Sequence, residues 1–496
     1  MWNKPYLVYI LKYKILLWLF REERVFLERT RRYPEKIIQF GEGNFLRCFV
    51  DWQIDILNEK TDFNSGITII RPIDYDSVPL LDTQDGLYTT VIRGINESGE
   101  AVKDYRLIQS VNREIPVYKE FDKYLKLAEN PEIKWIISNT TEAGIVFDGN
   151  DKYEDRPQST FPGKLTRLLH ERYKLFKGNE DSGFIILPCE LIDYNGEILK
   201  ETVMKYADIW ELDSGFKEWL AKANTWCSTL VDRIVTGYPF SEKEELEKEL
   251  GYKDNFITTG EYFYLFVIQG PKWLEKELKL DKVNMNIKIV DDIKPYKLRK
   301  VGILNGAHTL MVPVAYLYGL DTVKESIEDP VIGKYVKEAV FDEIIPVLDM
   351  EEKELTDFAD SVIDRFRNPY IKHMLMSISL NSMSKYKSRI LPQLLGYYEK
   401  YDKLPEKLVF SLAALIRFYK GTRGEEKIEL KDDAYILEFY NELWDGDNHN
   451  YTSMVEKVLK LEKLWGRDLS KIDGLLKLTS FYLNEIDNKN IKKCCK

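Results

Sequence analysis

Short apolar runs alternate with longer amphipathic stretches through the first half of the chain. Residues 37–40, 66–70, 135–137 and 184–187 are apolar runs of strand length, and residues 161–173 have the spacing of an amphipathic helix. Strands that alternate with helices along a chain favour a mostly parallel sheet covered by helices. The first half of the chain is therefore predicted to be an α/β domain.

The pattern changes near residue 261, where apolar positions begin to follow a helical spacing. Residues 260–268, residues 300–319 and most of the chain from there to about 482 are predicted to be helical. We place a boundary near Pro271. The prediction is thus an α/β domain over residues 33–271, followed by a mainly α-helical domain over residues 272–490.

The segment before residue 33 has a different character. Residues 6–20 are apolar but contain Lys12 and Lys14, and this run is shorter than the roughly 20 residues of a membrane span. No small-residue cleavage site precedes the charged residues 21–24. We therefore expect residues 1–32 to be an amphipathic or poorly ordered extension, not a membrane anchor.

Composition narrows the classes of partner. The 496 residues carry a formal net charge of -10, whereas nucleic acid and anionic membranes select a basic surface. The five cysteines and four histidines show no spacing typical of a zinc site. We expect a metal-independent, cytoplasmic protein with no nucleic-acid or membrane partner. A small anionic substrate remains compatible if basic side chains gather locally.

The first predicted strand runs directly into a glycine turn. Gly41 and Gly43 follow residues 37–40, and a helix is predicted from about Asn44. Glycines let the backbone turn sharply and approach a pyrophosphate, which the N–H groups at a helix N-terminus then bind. The pattern indicates the βα turn of a dinucleotide-binding fold. Leu46 stands where the full G-x-G-x-x-G pattern has glycine, so an ordinary strand turn is the alternative.

Arg71 leaves the choice of dinucleotide open. It follows the second predicted strand, where an acidic residue would favour the free ribose 2′-hydroxyl of NAD and an arginine would accept the 2′-phosphate of NADP. Asp74 and Asp76 follow within a few residues. The residues alone therefore do not choose between NAD and NADP.

Two other segments combine polar residues with predicted strands. Residues 138–142 are polar, mostly small residues at the carboxyl end of a predicted strand, which is where ligands bind in open α/β sheets. A hydrogen-bonded cap between the strand and the next helix is an equally good alternative. Asp232 and Arg233 lie inside the apolar frame 230–234. A buried ionisable pair is costly unless it is matched, so these two residues are either a structural ion pair or part of a site.

The stretch 300–308, K-V-G-I-L-N-G-A-H, brings an amine, a carboxamide and an imidazole together. In an α-helix Asn305 and His308 would lie about 60° apart and Lys300 about 80° from His308, so all three could face one cavity. A lysine in a water-poor pocket can act as a general acid/base, and the other two side chains can donate hydrogen bonds to a carbonyl oxygen. The alternative is a surface lysine, a capping asparagine and a core histidine. The motif gains weight only if the chain also binds a hydride carrier.

A second polar row lies within residues 365–392. Ser377, Asn381 and Lys385 recur every four residues and would share one face of a continuous helix, with Arg389 next in the row. Such a row suits a polyhydroxylated acid, because asparagine and serine bind hydroxyls and lysine or arginine binds a carboxylate. An ordinary solvated helix face is the alternative.

Together these segments resemble the mannitol dehydrogenase family of long-chain polyol and sugar-acid dehydrogenases. The family's G-x-G-x-F-x-R cofactor loop is matched at residues 41–47, and its K-x4-N-x2-H motif at residues 300–308. V-D-R-I and the segment running from N-P to K also fit, so the resemblance extends from about residue 33 to beyond residue 480. Leu191 and Ser377 stand where polyol members carry asparagine and arginine, which favours an acidic substrate over mannitol.

The resemblance implies a fold, a cofactor and a catalytic set. The fold would be an N-terminal Rossmann-type domain followed by a helical substrate domain, and the cofactor would be NAD. Lys300 would be the general acid/base, while Asn305 and His308 polarise the carbonyl. The residues implied to bind the cofactor are Ile38, Gln39, Phe40, Gly41, Glu42, Gly43, Asn44, Phe45, Leu46, Arg47, Cys48 and Phe49.

The resemblance also implies a substrate. Segments such as S-N-T-T-E-A-G-I and S-L-N-S-M-S-K are most similar to the family members that reduce D-tagaturonate to D-altronate in hexuronate catabolism. Lys385, with Arg389 second, is our predicted contact for the substrate carboxylate, and Asp232 is predicted to orient a group of the site. Fructuronate or a neutral polyol as substrate, and a nucleotide-binding protein without catalysis, are the alternatives.

Overall fold

The computed structural model describes residues 27–74, 79–141, 144–445, 450–489 and 491–494. Most of the predicted N-terminal extension, residues 1–26, lies outside the described residues. The chain divides into two compact units. The N-terminal unit comprises Met1–Arg93 and Lys103–Asp291, and the C-terminal unit comprises Gly94–Val102 and Asp292–Lys496.

The larger strands all occur before residue 291. They are β1 Glu35–Phe40, β2 Gly66–Arg71, β3 Tyr88–Ile95, β4 Ala101–Ile108, β5 Val111–Pro116, β6 Trp135–Ser138, β7 Ile185–Pro188, β8 Thr225–Trp226, β9 Ser228–Asp232, β10 Val235–Gly237, β11 Thr258–Glu261, β12 Leu265–Gln269 and β13 Ile287–Val290.

Six of these strands form a parallel sheet in the order β5-β2-β1-β6-β7-β8. Strands β2, β6 and β7 are buried at every position, as expected for a parallel sheet with both faces covered. Strand β1 lies between β2 and β6, so the direction in which strands are added reverses at β1. Doubly wound sheets bind dinucleotides at such a switch point. The predicted α/β fold with a mostly parallel sheet is confirmed.

Two smaller sheets use the remaining strands of this part of the chain, in the orders β10-β11-β3-β4 and β13-β12-β9. The prediction that residues 260–268 are helical is wrong, because these residues contribute to β11 and β12. Strand β12 pairs with β9 and β13, and its L-F-V-I sequence is aromatic and β-branched, which favours a pleated, buried strand.

Helices flank the strands of the N-terminal unit. The helix Phe161–Leu175 shows why they begin where they do: Thr160 Oγ1 accepts a hydrogen bond from the N–H of Gly163 at 3.1 Å, and a proline occupies the first turn. The α-helices of this unit are Asn44–Cys48, Val50–Lys60, Phe121–Leu125, Phe161–Leu175, Asn195–Ile209, Ser214–Lys222, Lys243–Leu250 and Leu274–Glu277, with 3-10 turns at Leu81–Gln84, Lys126–Glu129 and Glu180–Ser182.

The described chain after residue 292 is mainly helical, as predicted. Its strands there are the short hairpin β14 Thr422–Arg423 and β15 Glu426–Lys427. The helices are Lys294–Arg299, Lys300–Asn305 (π), Gly306–Tyr318, Val323–Glu328, Pro330–Glu338, Ala339–Ile344 (π), Ile345–Val347 (3-10), Glu352–Phe366, Leu375–Ile378, Ser382–Arg389, Leu391–Tyr401, Glu406–Phe418, Ala434–Asp445, Tyr451–Leu459, Glu462–Trp465, Leu469–Lys471 (3-10), Leu475–Lys489 and Ile491–Cys494.

A continuous helical stretch, Lys294–Tyr318, carries the motif that the sequence singled out. In the part of the chain that the structure describes, it is the one helix long and apolar enough to cross a membrane. However, 72% of its apolar 18-residue segment is buried inside the protein. Residues such as Leu310, Met311 and Val314 are fully buried, so the stretch has the environment of a core helix.

Candidate active site

The glycine turn after β1 is crowded at Gly41 and open at Gly43. Gly41 has φ +111°, and a Cβ added there would lie 2.8 Å from the carbonyl oxygen of Asn139. Gly43 stands at the N-terminus of the helix Asn44–Cys48, and an added Cβ would meet nothing within 4 Å. Gly41 is therefore needed for the turn itself, whereas Gly43 leaves space above the backbone.

Arg47 stabilises this turn through hydrogen bonds. Its guanidinium donates to the Glu42 carbonyl at 3.0 Å, to the Phe256 carbonyl at 2.6 Å and to Asn44 Oδ1 at 2.9 Å. Its side chain is buried. The arginine of the predicted cofactor loop therefore fixes the loop's shape.

Arg233 holds the end of the same loop. It donates to the Cys48 carbonyl at 2.7 Å and to the Glu261 carbonyl at 3.0 Å, and its guanidinium lies 4.3 Å from the centre of the Trp52 ring. These contacts favour a structural role for Arg233. Asp232, predicted to orient a site group, is buried at the end of β9 in the N-terminal unit.

The predicted cofactor residues divide into two groups by burial. Glu42, Gly43, Asn44 and Phe45 reach the protein surface at least in part. The rest are buried and could offer a cofactor only their backbone: Ile38, Gln39, Phe40, Gly41, Leu46, Arg47, Cys48 and Phe49.

Exposed apolar side chains follow three strands of the central parallel sheet, at the edge where the carboxyl ends of the strands lie. Ile73 (55% exposed) follows β2, Tyr118 (37%) follows β5 and Leu191 (65%) follows β7. The exposed Asp74 lies three residues beyond β2, and Asp76 lies outside the described residues. Flat apolar surfaces for two rings, an acid for a ribose hydroxyl and the open backbone at Gly43 together fit a dinucleotide.

Arg71, which left NADP possible on sequence grounds, is 4% exposed. Its Nε lies 2.6 Å from Oε1 of the buried Glu114 and 3.9 Å from Oε1 of Glu42, and its Nη2 donates to the Pro79 carbonyl at 3.1 Å. Burial raises the pKa of Glu114. The guanidinium thus faces two carboxylates within the protein.

The polar residues at the carboxyl end of β6 are tied to the end of β7. Ser138 Oγ donates to Glu190 Oε2 at 3.0 Å, and the N–H of Thr140 donates to Glu190 Oε1 at 3.0 Å. Asn139 Nδ2 donates to the Cys189 carbonyl at 2.6 Å. Glu142 lies outside the described residues. These contacts favour the structural alternative for the segment.

The motif residues Lys300 and Asn305 begin and end a π-helical turn. In an α-helix, residues five apart would point about 140° away from each other. A π-turn closes i to i+5 hydrogen bonds and is wider, so the directions of residues five apart differ by less than in an α-helix. The regular α-helical geometry assumed from the sequence therefore does not hold over residues 300–305.

Close packing supports this turn. A Cβ on Gly302 would lie 3.1 Å from Gln393 Nε2 and 3.5 Å from Ile344, and one on Gly306 would lie 3.5 Å from Ile390. The two glycines let neighbouring helices of the C-terminal unit approach the turn.

His308 lies in an aromatic and basic environment. Its ring stacks on Phe366 at 4.3 Å between centroids and meets His373 edge to face at 5.2 Å. Its Nε2 is buried and has no hydrogen-bond partner among the described residues. Burial, and then the nearby basic side chains of His373 and Arg365, hold the pKa of His308 well below its usual value. The imidazole is therefore neutral, with one ring nitrogen able to donate to a ligand oxygen.

The predicted carboxylate ligands lie on the helix Ser382–Arg389 of the same unit. Lys385 Nζ donates to the Ile378 carbonyl at 2.8 Å, and Arg389 Nη1 donates to Thr309 Oγ1 at 3.3 Å. Burial lowers the pKa of both groups, and for Lys385 the neighbouring Arg389 lowers it further. Both cations also lower the pKa of His308, so the two lie close enough to act on its ring.

The predicted polar row through Ser377 and Asn381 is wrong. The helix Leu375–Ile378 ends before Asn381, whose φ of +51° is left-handed, and a new helix begins at Ser382. Ser377 is exposed and donates to the Met374 carbonyl at 2.7 Å. Without a continuous helix, spacing by four residues does not define one face.

Two basic residues near His308 were missed by sequence reasoning. Arg365 and His373 lie in the polar segment R-F-R-N-P-Y-I-K-H, but their proximity to His308 depends on folding. In the described part of the chain, no group of three or more His, Cys, Asp or Glu residues could hold a metal ion.

Comparison with known proteins identifies the class. Residues 35–282 match the mannitol dehydrogenase Rossmann domain, and residues 292–486 match the mannitol dehydrogenase C-terminal domain. The chain belongs to the mannitol dehydrogenase family, as the sequence motifs predicted.

Within that family, the chain is similar to curated altronate oxidoreductases. It is 57% identical over 465 residues to the Yersinia enterocolitica protein and 57% identical over 470 residues to that of Pectobacterium atrosepticum. It is 56% identical over 465 residues to that of Escherichia coli. Each alignment covers 93% of this chain and 96% of the relative.

Solved structures at lower identity share the fold. A substrate-free D-sorbitol dehydrogenase is 20% identical, with a TM-score of 0.78 over 96% of this chain and 99% of that one. Pseudomonas fluorescens mannitol 2-dehydrogenase, in a ternary complex with NAD and D-mannitol, is 19% identical, with a TM-score of 0.63 over 93% of both chains.

Proposed function

We propose that this chain is an oxidoreductase acting on CH–OH groups that reduces D-tagaturonate to D-altronate with NADH, reversibly. The observation that carries the proposal is 56–57% identity to altronate oxidoreductases over nearly the full length of both chains. The basic side chains around His308 support an acidic substrate, because a carboxylate would compensate their charge.

The N-terminal unit would hold the dinucleotide. The open backbone at Gly43 and the N-terminus of the helix Asn44–Cys48 would bind the pyrophosphate, and Asp74 would accept from a ribose hydroxyl. NAD is the better fit than NADP, because Arg71 is engaged by Glu114 and lies near Glu42. When bound, the reduced nicotinamide supplies the hydride.

The proton chemistry would belong to the C-terminal unit. Lys300 would donate a proton to the substrate oxygen as the keto carbon is reduced, and would take it back in the oxidation. The Asn305 carboxamide, one π-turn away, would donate a hydrogen bond to the same oxygen. The neutral His308, whose buried Nε2 has no partner among the described residues, would supply another contact.

Basic side chains would recognise the acid group of the substrate. Lys385 and Arg389 stand on one helix and both act on His308. A neutral polyol would bring these partly buried cations no anionic partner, whereas a carboxylate would offset their charge. This favours a ketouronate over fructose or mannitol. The step would belong to hexuronate catabolism in the cytoplasm.

A spectrophotometric screen tests the proposal. Loss of NADH absorbance should be fastest, as kcat/KM, with D-tagaturonate, slower with D-fructuronate and slowest with D-fructose. NADPH should replace NADH poorly. A higher kcat/KM for fructose or mannitol than for the tagaturonate–altronate pair would overturn the choice of substrate, and no turnover of any of these compounds would overturn catalysis.

A further inference from the structure

His373 is a second imidazole beside the catalytic motif, and neither the sequence motifs nor the proposed reaction gives it a role. Its backbone is fixed on both sides: its carbonyl accepts from the N–H of Val323 at 2.9 Å, and its own N–H donates to the Ile371 carbonyl at 3.0 Å. The half-buried ring meets His308 edge to face at 5.2 Å. The segment therefore holds this imidazole in a defined position beside His308.

The charged groups that act most strongly on His308 are all basic. They are His373, Arg365, Arg389 and Lys385. Of these, Arg389 is a partly buried cation, and such a charge is costly unless a counter-charge is supplied. A ligand carboxylate would supply it, and imidazole and guanidinium N–H groups are suitable donors to its two oxygens.

Lys385 and Arg389 differ in the groups that they already contact within the protein. The ammonium of Lys385 donates to the Ile378 carbonyl at 2.8 Å, and the carboxylate of Asp432 acts on it to raise its pKa, against the larger effect of burial. Asp432 in turn accepts a hydrogen bond from the Tyr419 hydroxyl. Arg389 makes a long contact, 3.3 Å, to the neutral Thr309 hydroxyl one residue from His308. Arg389 is thus the better placed of the two cations to bind an anion beside that ring.

We infer that His373 and Arg389 together bind the carboxylate of the substrate, and that His373 is a specificity-determining residue that separates ketouronates from neutral ketoses. This inference rests on the proposed function. Of the pair Lys385 and Arg389 proposed above for the acid group, Arg389 then binds the carboxylate, and Lys385 serves mainly to join the segment around Ile378 to the helix Ser382–Arg389. The arrangement keeps recognition of the acid group on residues distinct from Lys300 and Asn305.

The test compares one acid and one neutral substrate of matched stereochemistry, D-tagaturonate and D-tagatose. His373→Asn and Arg389→Met should each lower kcat/KM for tagaturonate by about 10- to 100-fold, because each removes a hydrogen bond to a charged group. The value for tagatose should change by less than about threefold. Lys372→Met is the matched control, since it removes an exposed cation next to His373 and should change neither value.

The double variant gives a second readout. If the two side chains share one carboxylate, His373→Asn with Arg389→Met should lose less than the product of the single losses. If tagatose is turned over too slowly to measure, calorimetry can instead compare the binding of D-altronate and D-altritol with NADH present. In both single variants, altronate affinity should fall toward that of altritol.

Two results would overturn the inference. Equal losses for tagaturonate and tagatose would mean that His373 only positions His308, and unchanged tagaturonate kinetics would mean that it has no part in recognition. His373→Gln replaces His373→Asn if the latter fails to fold, as judged by thermal unfolding. A wild-type protein that does not reduce tagaturonate would instead overturn the proposed function, so the two failures are distinguishable.

Discussion

The two glycines of the β1 turn provide a matched pair of substitutions, because the structure assigns them different constraints. Gly41→Ala puts a Cβ 2.8 Å from the Asn139 carbonyl oxygen, at a φ of +111° that side chains rarely adopt. Backbone strain and overpacking together should lower the free energy of unfolding by about 2 to 4 kcal/mol. The crowded atom belongs to the backbone and cannot rotate away.

Gly43→Ala should leave stability nearly unchanged. Its Cβ would meet nothing within 4 Å, and its φ of -63° suits any residue. The gain of about 0.4 to 1 kcal/mol from a less flexible unfolded chain is offset by the poorer helix N-cap. NADH affinity should nevertheless fall about 10- to 100-fold, because a methyl group over the turn displaces a charged group from one hydrogen bond or more.

Urea unfolding and fluorescence titration with NADH measure the two effects separately. We expect Gly41→Ala to shift the unfolding midpoint and Gly43→Ala to shift the dissociation constant. Wild-type NADH affinity in Gly43→Ala would show that this turn does not hold the pyrophosphate. A loss of stability in Gly43→Ala as large as that of Gly41→Ala would refute the open surface described above Gly43.

Two further substitutions test the assignment of Arg71 and Asn305. Arg71→Met should destabilise the protein by about 3 to 5 kcal/mol, because it leaves Glu114 buried without its counter-charge, while the preference for NADH over NADPH stays the same. Burial holds the folded-state pKa of Glu114 above its ordinary 4.5. As the pH falls and Glu114 is protonated, the loss of unfolding free energy in Arg71→Met should therefore become smaller. A loss independent of pH would contradict this reasoning. Asn305→Ala should lower kcat about 100- to 1000-fold at nearly unchanged NADH affinity, since it removes a donor to the substrate oxygen, whereas a change confined to stability would assign Asn305 to the helix alone.

Local rules were enough for the central sheet and for the glycine turn after β1. A buried strand that runs into Gly41 and Gly43 has few other structures available, because the turn depends on residues adjacent in the chain. The same holds for the helical character of the chain after residue 292. These parts could be predicted from the sequence.

Contacts between distant residues could not be predicted in this way. The residues 260–268 are aromatic and apolar enough for either a helix or a strand, and only pairing with β9, β13 and β3 decides the outcome. On sequence grounds Arg71 could bind a 2′-phosphate. Its actual partner, Glu114, lies on the neighbouring strand β5, and only the pairing of β2 with β5 brings the two together.

The site itself shows a similar division. The spacing of Lys300, Asn305 and His308 is visible in the sequence, but the π-helical turn from Lys300 to Asn305 is not. Asn381 reads as one member of a helical row until its left-handed backbone interrupts that row. His373 reaches His308 only because the intervening chain folds back, so no local pattern could assign it to the site.

The proposal depends on the amine of Lys300 carrying out the proton step. The measurement is kcat for reduction of D-tagaturonate by Lys300→Met, with the NADH dissociation constant determined in the same samples and Lys297→Met, on the preceding helix Lys294–Arg299, as control. We expect kcat to fall about 100- to 10,000-fold in Lys300→Met while NADH affinity and the control remain close to wild type. A kcat for Lys300→Met within a few-fold of the wild-type value would contradict the proposed chemistry.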